Sequence, residues 1–153
     1  MGIVCELYRI SDSEIEKLTK LKPEIAEEFL DENYSWVEGK LHSIDNTVFS
    51  MSKGWDITKF LLKKADFSTY KILTELDGKY IKSDKAKEVN KVLNKITIEQ
   101  LMDLYDQIEL IENDVYRAEV EKNKEYIEYH LNYYKSAFKK ASELNDGIVI
   151  HYC

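Results

Sequence analysis

The stretch from about Glu119 to Leu144 most constrains what this chain can fold into. Projected at about 100° per residue, Val120, Ile127, Leu131, Tyr134, Phe138 and Ala141 form one stripe. Tyr126, His130, Tyr133, Ala137 and Leu144 flank it, while Glu121, Glu125, Glu128, Lys135, Lys139 and Glu143 take the other face. An apolar arc of about 160° belongs to a helix laid against a core. Asn145-Asp146-Gly147 ends the pattern, with Gly147 the expected left-handed cap. "IVIHY" (Ile148 to Tyr152) then reads as a strand too apolar to be exposed on both faces.

A matching strand is expected at the other end. "GIVCELYRI" (Gly2 to Ile10) is short and rich in β-branched and aromatic residues. Strands at both termini with helices between predict an α+β fold. A small sheet containing the N- and C-terminal strands is covered by several helices, the last of them long and amphipathic. One proline and five glycines in 153 residues leave no linker, so 1–153 reads as a single domain. A chain of that size buries roughly 70% of its unfolded surface and needs no staples.

The intervening segments carry helix signals. Ser11 and Glu14 have capping-box spacing before Ile15, Leu18 and Leu21. Lys22-Pro23 breaks that helix, and Pro23 suits the first turn of a second, with Ile25, Phe29 and Leu30 as its apolar positions. Residues 31–46 read as helix then loop. Ser52 is the expected N-cap of an apolar run through Trp55, Ile57, Phe60, Leu61, Leu62 and Ala65. Lys63 and Lys64 favour its carboxyl end. A turn at Asp77-Gly78 leads to a short strand ending at Ile81. Ser83-Asp84 should cap a helix carried by Ala86, Val89, Val92 and Leu93. Thr97 and Gln100 repeat the capping-box spacing before Leu101, Leu104 and Tyr105. This helix pair resembles a helix-turn-helix only loosely, and Lys87, Lys91 and Lys95 read as a solvated face.

Charge narrows the partners. A net charge of -7 repels nucleic acid phosphates and anionic lipid, and is compatible with a basic protein partner. A wide apolar face and eleven tyrosines are compatible with a homodimer as well as a monomer. There is no secretory signal pattern, and no run approaches the ~20 apolar residues of a membrane span. Cys5 and Cys153 lack CxxC spacing and read as free thiols in a reducing cytoplasm.

The motifs of common chemistries are missing from the chain. His42, His130 and His151 are scattered without HExxH spacing, so no metal site is expected. Neither GxGxxG, GxxxxGK nor GxSxG occurs, and no cofactor is expected. Asp103, Asp106, Glu109, Glu112 and Asp114 read as solvated surface rather than a hydrolytic carboxylate pair. Cys5 lies near His151 if the terminal strands are neighbours, although packing is the simpler role for it. His130 reads as a core-edge histidine, and Tyr116, Tyr126, Tyr133, Tyr134 and Trp36 as core or an aromatic interface.

"SKGWDITKFLLKK" (residues 52–64) is the stretch closest to a site signature. Asp56 falls in the first turn of the expected helix, near its positive dipole end. Trp55 is the expected buried anchor. Two functions of different class follow. The favoured one is a non-catalytic binding or protein-interaction module. The alternative is a small-molecule enzyme or sensor with a pocket between helices and sheet, for which Trp55, Asp56, Tyr116 and His151 are the binding candidates.

The order of "MGIVCELYRIS", "FSMSKGWDITKFLL", "KYI", "NDVYR" and "YYKSAFKKASELNDGIVIHY" resembles the YfbM-like family, bacterial domain of unknown function 1877. Phe49, Met51, Lys53, Trp55, Asp56, Phe60, Leu61 and Leu62 match its middle block. Ser50 and Ser52 stand where that family tends to be acidic, and Lys59 where members often have histidine. The departures favour a structural role for the block, since Ser can replace Asp as a cap. The resemblance implies the fold and brings no established activity.

Overall fold

A computed structural model describes residues 2–34, 46–66 and 79–153. Four strands form one antiparallel sheet: β1 (Cys5–Ile10), β2 (Val48–Ser52), β3 (Tyr80–Ile81) and β4 (Gly147–Tyr152), in the order β2-β1-β4-β3. The terminal strands are central neighbours, with Leu7 opposite Ile150 and Cys5 opposite Tyr152. Val4 and Cys153 extend the pairing by exchanging backbone hydrogen bonds of 2.8 and 2.9 Å.

The described helices are α1 (Asp12–Thr19), α2 (Pro23–Asn33), α3 (Trp55–Lys64), α4 (Ser83–Leu93), α5 (Ile98–Asp103), α6 (Gln107–Glu112) and α7 (Lys124–Leu144). They cover both faces of the sheet. Strand side chains alternate between faces, so each strand feeds two cores. Cys5, Leu7, Phe49, Met51, Ile81, Ile148 and Ile150 pack with α3, α4 and α7. Tyr8, Ile10, Val48 and Val149 pack with Ile15 and Leu18 of α1 and Ala26 and Leu30 of α2. The strands read as apolar because both faces are buried.

The long helix explains most of the larger core. Ile127, His130, Leu131, Tyr133, Tyr134, Ala137, Phe138 and Ala141 are all buried. The helix starts at Lys124, about five residues later than its periodicity suggests, because Asn123 caps it by accepting the Glu125 N–H at 2.9 Å. Val120 therefore leaves the stripe and stands 58% exposed. Beyond the helix, the left-handed residue is Asn145 (φ 56°) and not Gly147. Gly147 opens β4 instead. A Cβ there would collide with the Ile81 carbonyl and the Ile15 side chain, so only glycine lets β3 and α1 approach.

Local signals hold with some reassignment. Thr97 and Gln100 form both bonds of a capping box, at 3.0 and 2.9 Å. Ser11 Oγ accepts the Glu14 N–H at 3.3 Å. Lys82, not Ser83, is the cap residue of α4, and Ser83 donates its N–H and hydroxyl to Asp12 at 2.8 and 2.5 Å. Leu21 falls between α1 and α2 and is exposed, and on α2 Ile25 is exposed while Ala26 takes a buried place. The expected loop beyond Tyr34, Trp36, His42 and the Asp77-Gly78 turn lie outside the described residues.

Candidate functional site

Ser52 does not cap α3. It has φ 46° at the end of β2, where it turns the chain out of the sheet. Its N–H goes to Ser50 Oγ at 3.1 Å. Gly54 is the cap residue and no side chain caps it, although its carbonyl accepts the Thr58 N–H at 3.1 Å. Trp55 and Asp56 thus begin the helix at the edge of the sheet, where both reach across to distant segments.

The Trp55 indole lies over Tyr116 with centroids 5.6 Å apart and planes at 28°. Its edge contact with Tyr152 is at 5.1 Å and 78°. Its Nε1–H donates to the Ile3 carbonyl at 3.1 Å, while Ile3 N–H donates to the Tyr116 hydroxyl at 2.9 Å. One backbone residue is therefore held at both its polar groups. Gly2 lies so close to the same hydroxyl that a Cβ would collide with it. Asp56 accepts the Tyr116 N–H at 2.8 Å and sits 3.9 Å from Lys59 Nζ. Trp55 is half-buried rather than buried, because it closes an aromatic clasp over the N-terminal segment instead of entering the core.

Trp55, Asp56 and Tyr116 are thus brought together. His151 is not among them. It lies opposite Glu6 on β4 and faces the other side of the sheet, 6.5 Å from the Tyr8 ring and 3.9 Å from the Glu27 carboxylate. Its neighbour Tyr152 points to the clasp. The same alternation separates His151 from Cys5. Burial pushes the Cys5 thiol up to about 12, despite a hydrogen bond with Tyr152, so it is a packed thiol and not a nucleophile. Cys153 follows Tyr152, the residue opposite Cys5 in the ladder, yet both thiols are free, Cys5 buried and Cys153 exposed.

His130 is buried, with Nδ1 3.2 Å from the Ser50 carbonyl oxygen and its ring 4.3 Å from that of Tyr126. Burial holds it below its ordinary value, partly opposed by that carbonyl. Tyr133 and Tyr134 are core, while Tyr116 and Tyr126 are half-buried. Among the described residues, no group of three or more His, Cys, Asp or Glu is placed to hold a metal ion.

Two surface depressions adjoin the clasp. One of about 240 Å³ is lined by Asp56, Lys59, Phe60, Lys63, Asn113 and Val115. The other, of about 300 Å³, is lined by Ile111, Val115, Ala118 and Val120 with Asp114, Arg117 and Glu119. Sequence periodicity misses the second because it places Val120 in the buried stripe. The acidic run beside it is only partly free surface. Asp106 caps α6, accepting Ile108 N–H at 3.0 Å, and Glu109 pairs with Lys64 at 2.6 Å.

These features define a class: an α+β domain with helices on both faces of an antiparallel sheet and an aromatic clasp over its first residues. The chain belongs to the family described as Domain of unknown function (DUF1877), whose model matches residues 1–151. No curated protein and no solved structure matches the chain.

Proposed function

We propose that this chain is a non-catalytic protein-interaction module, YfbM-like, bacterial and cytoplasmic, whose partner is a basic protein. The engagement of the signature residues carries the reading. The polar groups of Trp55, Asp56 and Tyr116 are taken up by backbone partners at 2.8–3.1 Å. Groups so committed position chain segments; a reacting substrate would have to displace them. The net charge of -7 supports a cationic protein over nucleic acid or an anionic membrane. No described helix is long and apolar enough to cross a membrane. Two free thiols suit a reducing compartment.

The test is affinity purification of the full chain from its native cells at low and high salt. A partner with an isoelectric point above ~9 should be recovered at low ionic strength and lost at roughly 0.5 M salt, where screening is strong. Recovery of no partner, or of an acidic one bound equally at both salts, overturns the reading.

The depression beside Asp56 favours a second reading, a small-molecule sensor. It combines Phe60 with Lys59, Lys63 and Asn113, an apolar wall with a few polar groups. A thermal-shift screen of small anionic metabolites tests it. A stabilising compound whose effect disappears in Lys63→Ala supports it, and an unmoved melting temperature across the panel sinks it.

A further inference from the structure

We infer that the partner docks on the face made by α6 and the turn that follows it, and that the docking segment is amphipathic and basic, with apolar side chains flanked by lysine or arginine. This rests on the interaction-module reading and deepens it. Ile108 is 69% exposed, Val120 58% and Ile111 38%. Ile108 and Ile111 lie three apart on α6 and share a face, while Leu110 between them is fully buried and anchors the helix. Ile111 and Val120 then line one depression of about 300 Å³. Single exposed apolar side chains are ordinary, but Ile111 and Val120 sharing one hollow, with Ile108 beside Ile111 on α6, mark a contact surface.

Charge selects the occupant. Residues 103–116 contain five acids and no base. Asp114 and Glu119 are exposed and line the hollow, and exposed Glu112 follows Ile111 in the chain. Arg117, which lines the hollow, meets Glu121 at 3.2 Å, and Lys64 meets Glu109 of α6 at 2.6 Å. Lys59 and Lys63 line the adjoining hollow and bound the acidic field. An apolar centre with an acidic rim accepts an apolar segment with basic flanks and repels acidic competitors.

The surface is also held in shape before binding. Asp114 and Arg117 adopt left-handed backbone at φ 54° and 66°. Val115 N–H donates to the Leu110 carbonyl at 3.0 Å, Gln107 Nε2 to the Ala118 carbonyl at 3.3 Å, and Tyr116 N–H to Asp56 at 2.8 Å. A turn fixed at three points loses little further freedom on binding, which favours affinity.

Site-specific photo-crosslinking tests this. A benzoylphenylalanine is placed at Ile108, at Val120 or at the distant exposed Ile25 of the full chain, in native cells, and each crosslinked peptide is sequenced by mass spectrometry. Positions 108 and 120 should capture one peptide of apolar residues with Lys or Arg flanks, and position 25 should not. Glu112→Lys with Asp114→Lys should lower that yield roughly tenfold or more, as reversed rim charges slow encounter. Capture of an acidic peptide or of a second copy of this chain overturns the inference. Capture at 25 alone removes this docking face and leaves the interaction module standing. A folded chain, judged by circular dichroism, that captures nothing at any of the three positions overturns both.

Discussion

The Asp56 carboxylate accepts the backbone N–H of Tyr116 at 2.8 Å, joining residues 60 positions apart. An acid in the first turn of α3 thereby fixes the turn that follows α6. It ties the signature stretch to the acidic, apolar face. Asp56→Ala should cost about 1–2 kcal/mol, the low end for a charged acceptor because the carboxylate is partly solvated. Amide exchange should accelerate at Tyr116 and its neighbours more than in the sheet. Unchanged protection at Tyr116 would show that the turn holds without this bond.

Trp55 closes the clasp from outside the core. Trp55→Ala should cost about 2–3 kcal/mol, less than the ~3–5 kcal/mol of a fully buried aromatic. Trp55→Phe keeps an aromatic ring against Tyr116 but loses the bond to the Ile3 carbonyl and part of the indole's contact area, so about 1–2 kcal/mol should be lost. Urea denaturation measures both, and equal losses would show that the indole N–H dominates over packing.

Gly147 has no room for a side chain beside the Ile81 carbonyl. Gly147→Ala should destabilise by about 2 kcal/mol or more through overpacking between β3, β4 and α1. A melting temperature within error of the parent would contradict that close approach.

His130 supplies a pH dependence. Burial lowers its value in the folded chain below the ordinary 6.5. The unfolded chain therefore binds the proton first as pH falls, and the folded state is penalised. Stability contributed by neutral His130 is complete above about pH 7 and is lost between 6.5 and the lower folded value. Chemical denaturation from pH 7.5 to 5 should show a slope that His130→Gln reduces. Parallel profiles for the two chains would exclude the effect.

The thiols should differ in reactivity. Cys153 is exposed, while Cys5 is buried with its thiol raised to about 12. At pH 8, a thiol reagent should label one cysteine per native chain and two after unfolding. Rapid labelling of both in the native chain would mean that the first strand opens readily.

Much of the architecture is legible in the chain because its signals are local. The capping box at Thr97 and Gln100, the stripe from Ile127 to Ala141 and the apolar terminal strands each depend on residues a few positions apart. Apolar periodicity reports burial directly, whichever element supplies the cover. The same signals fail at boundaries. Val120 continues the stripe in period, yet the Asn123 cap starts the helix after it and leaves it at the surface.

What the sequence by itself determined is therefore the set of elements, their buried faces and the acidic balance. Only the tertiary structure decided how those elements meet. Trp55 reaches Ile3 across 52 positions, Asp56 reaches Tyr116 across 60, and Tyr116 reaches Ile3 across 113. Alternation along β4 puts His151 and Tyr152 on opposite faces, and the register against β1 turns Tyr152, not His151, toward the clasp that Trp55, Asp56 and Tyr116 share. Helix and strand periods act within a few residues, whereas register and long-range closure depend on every element packed between.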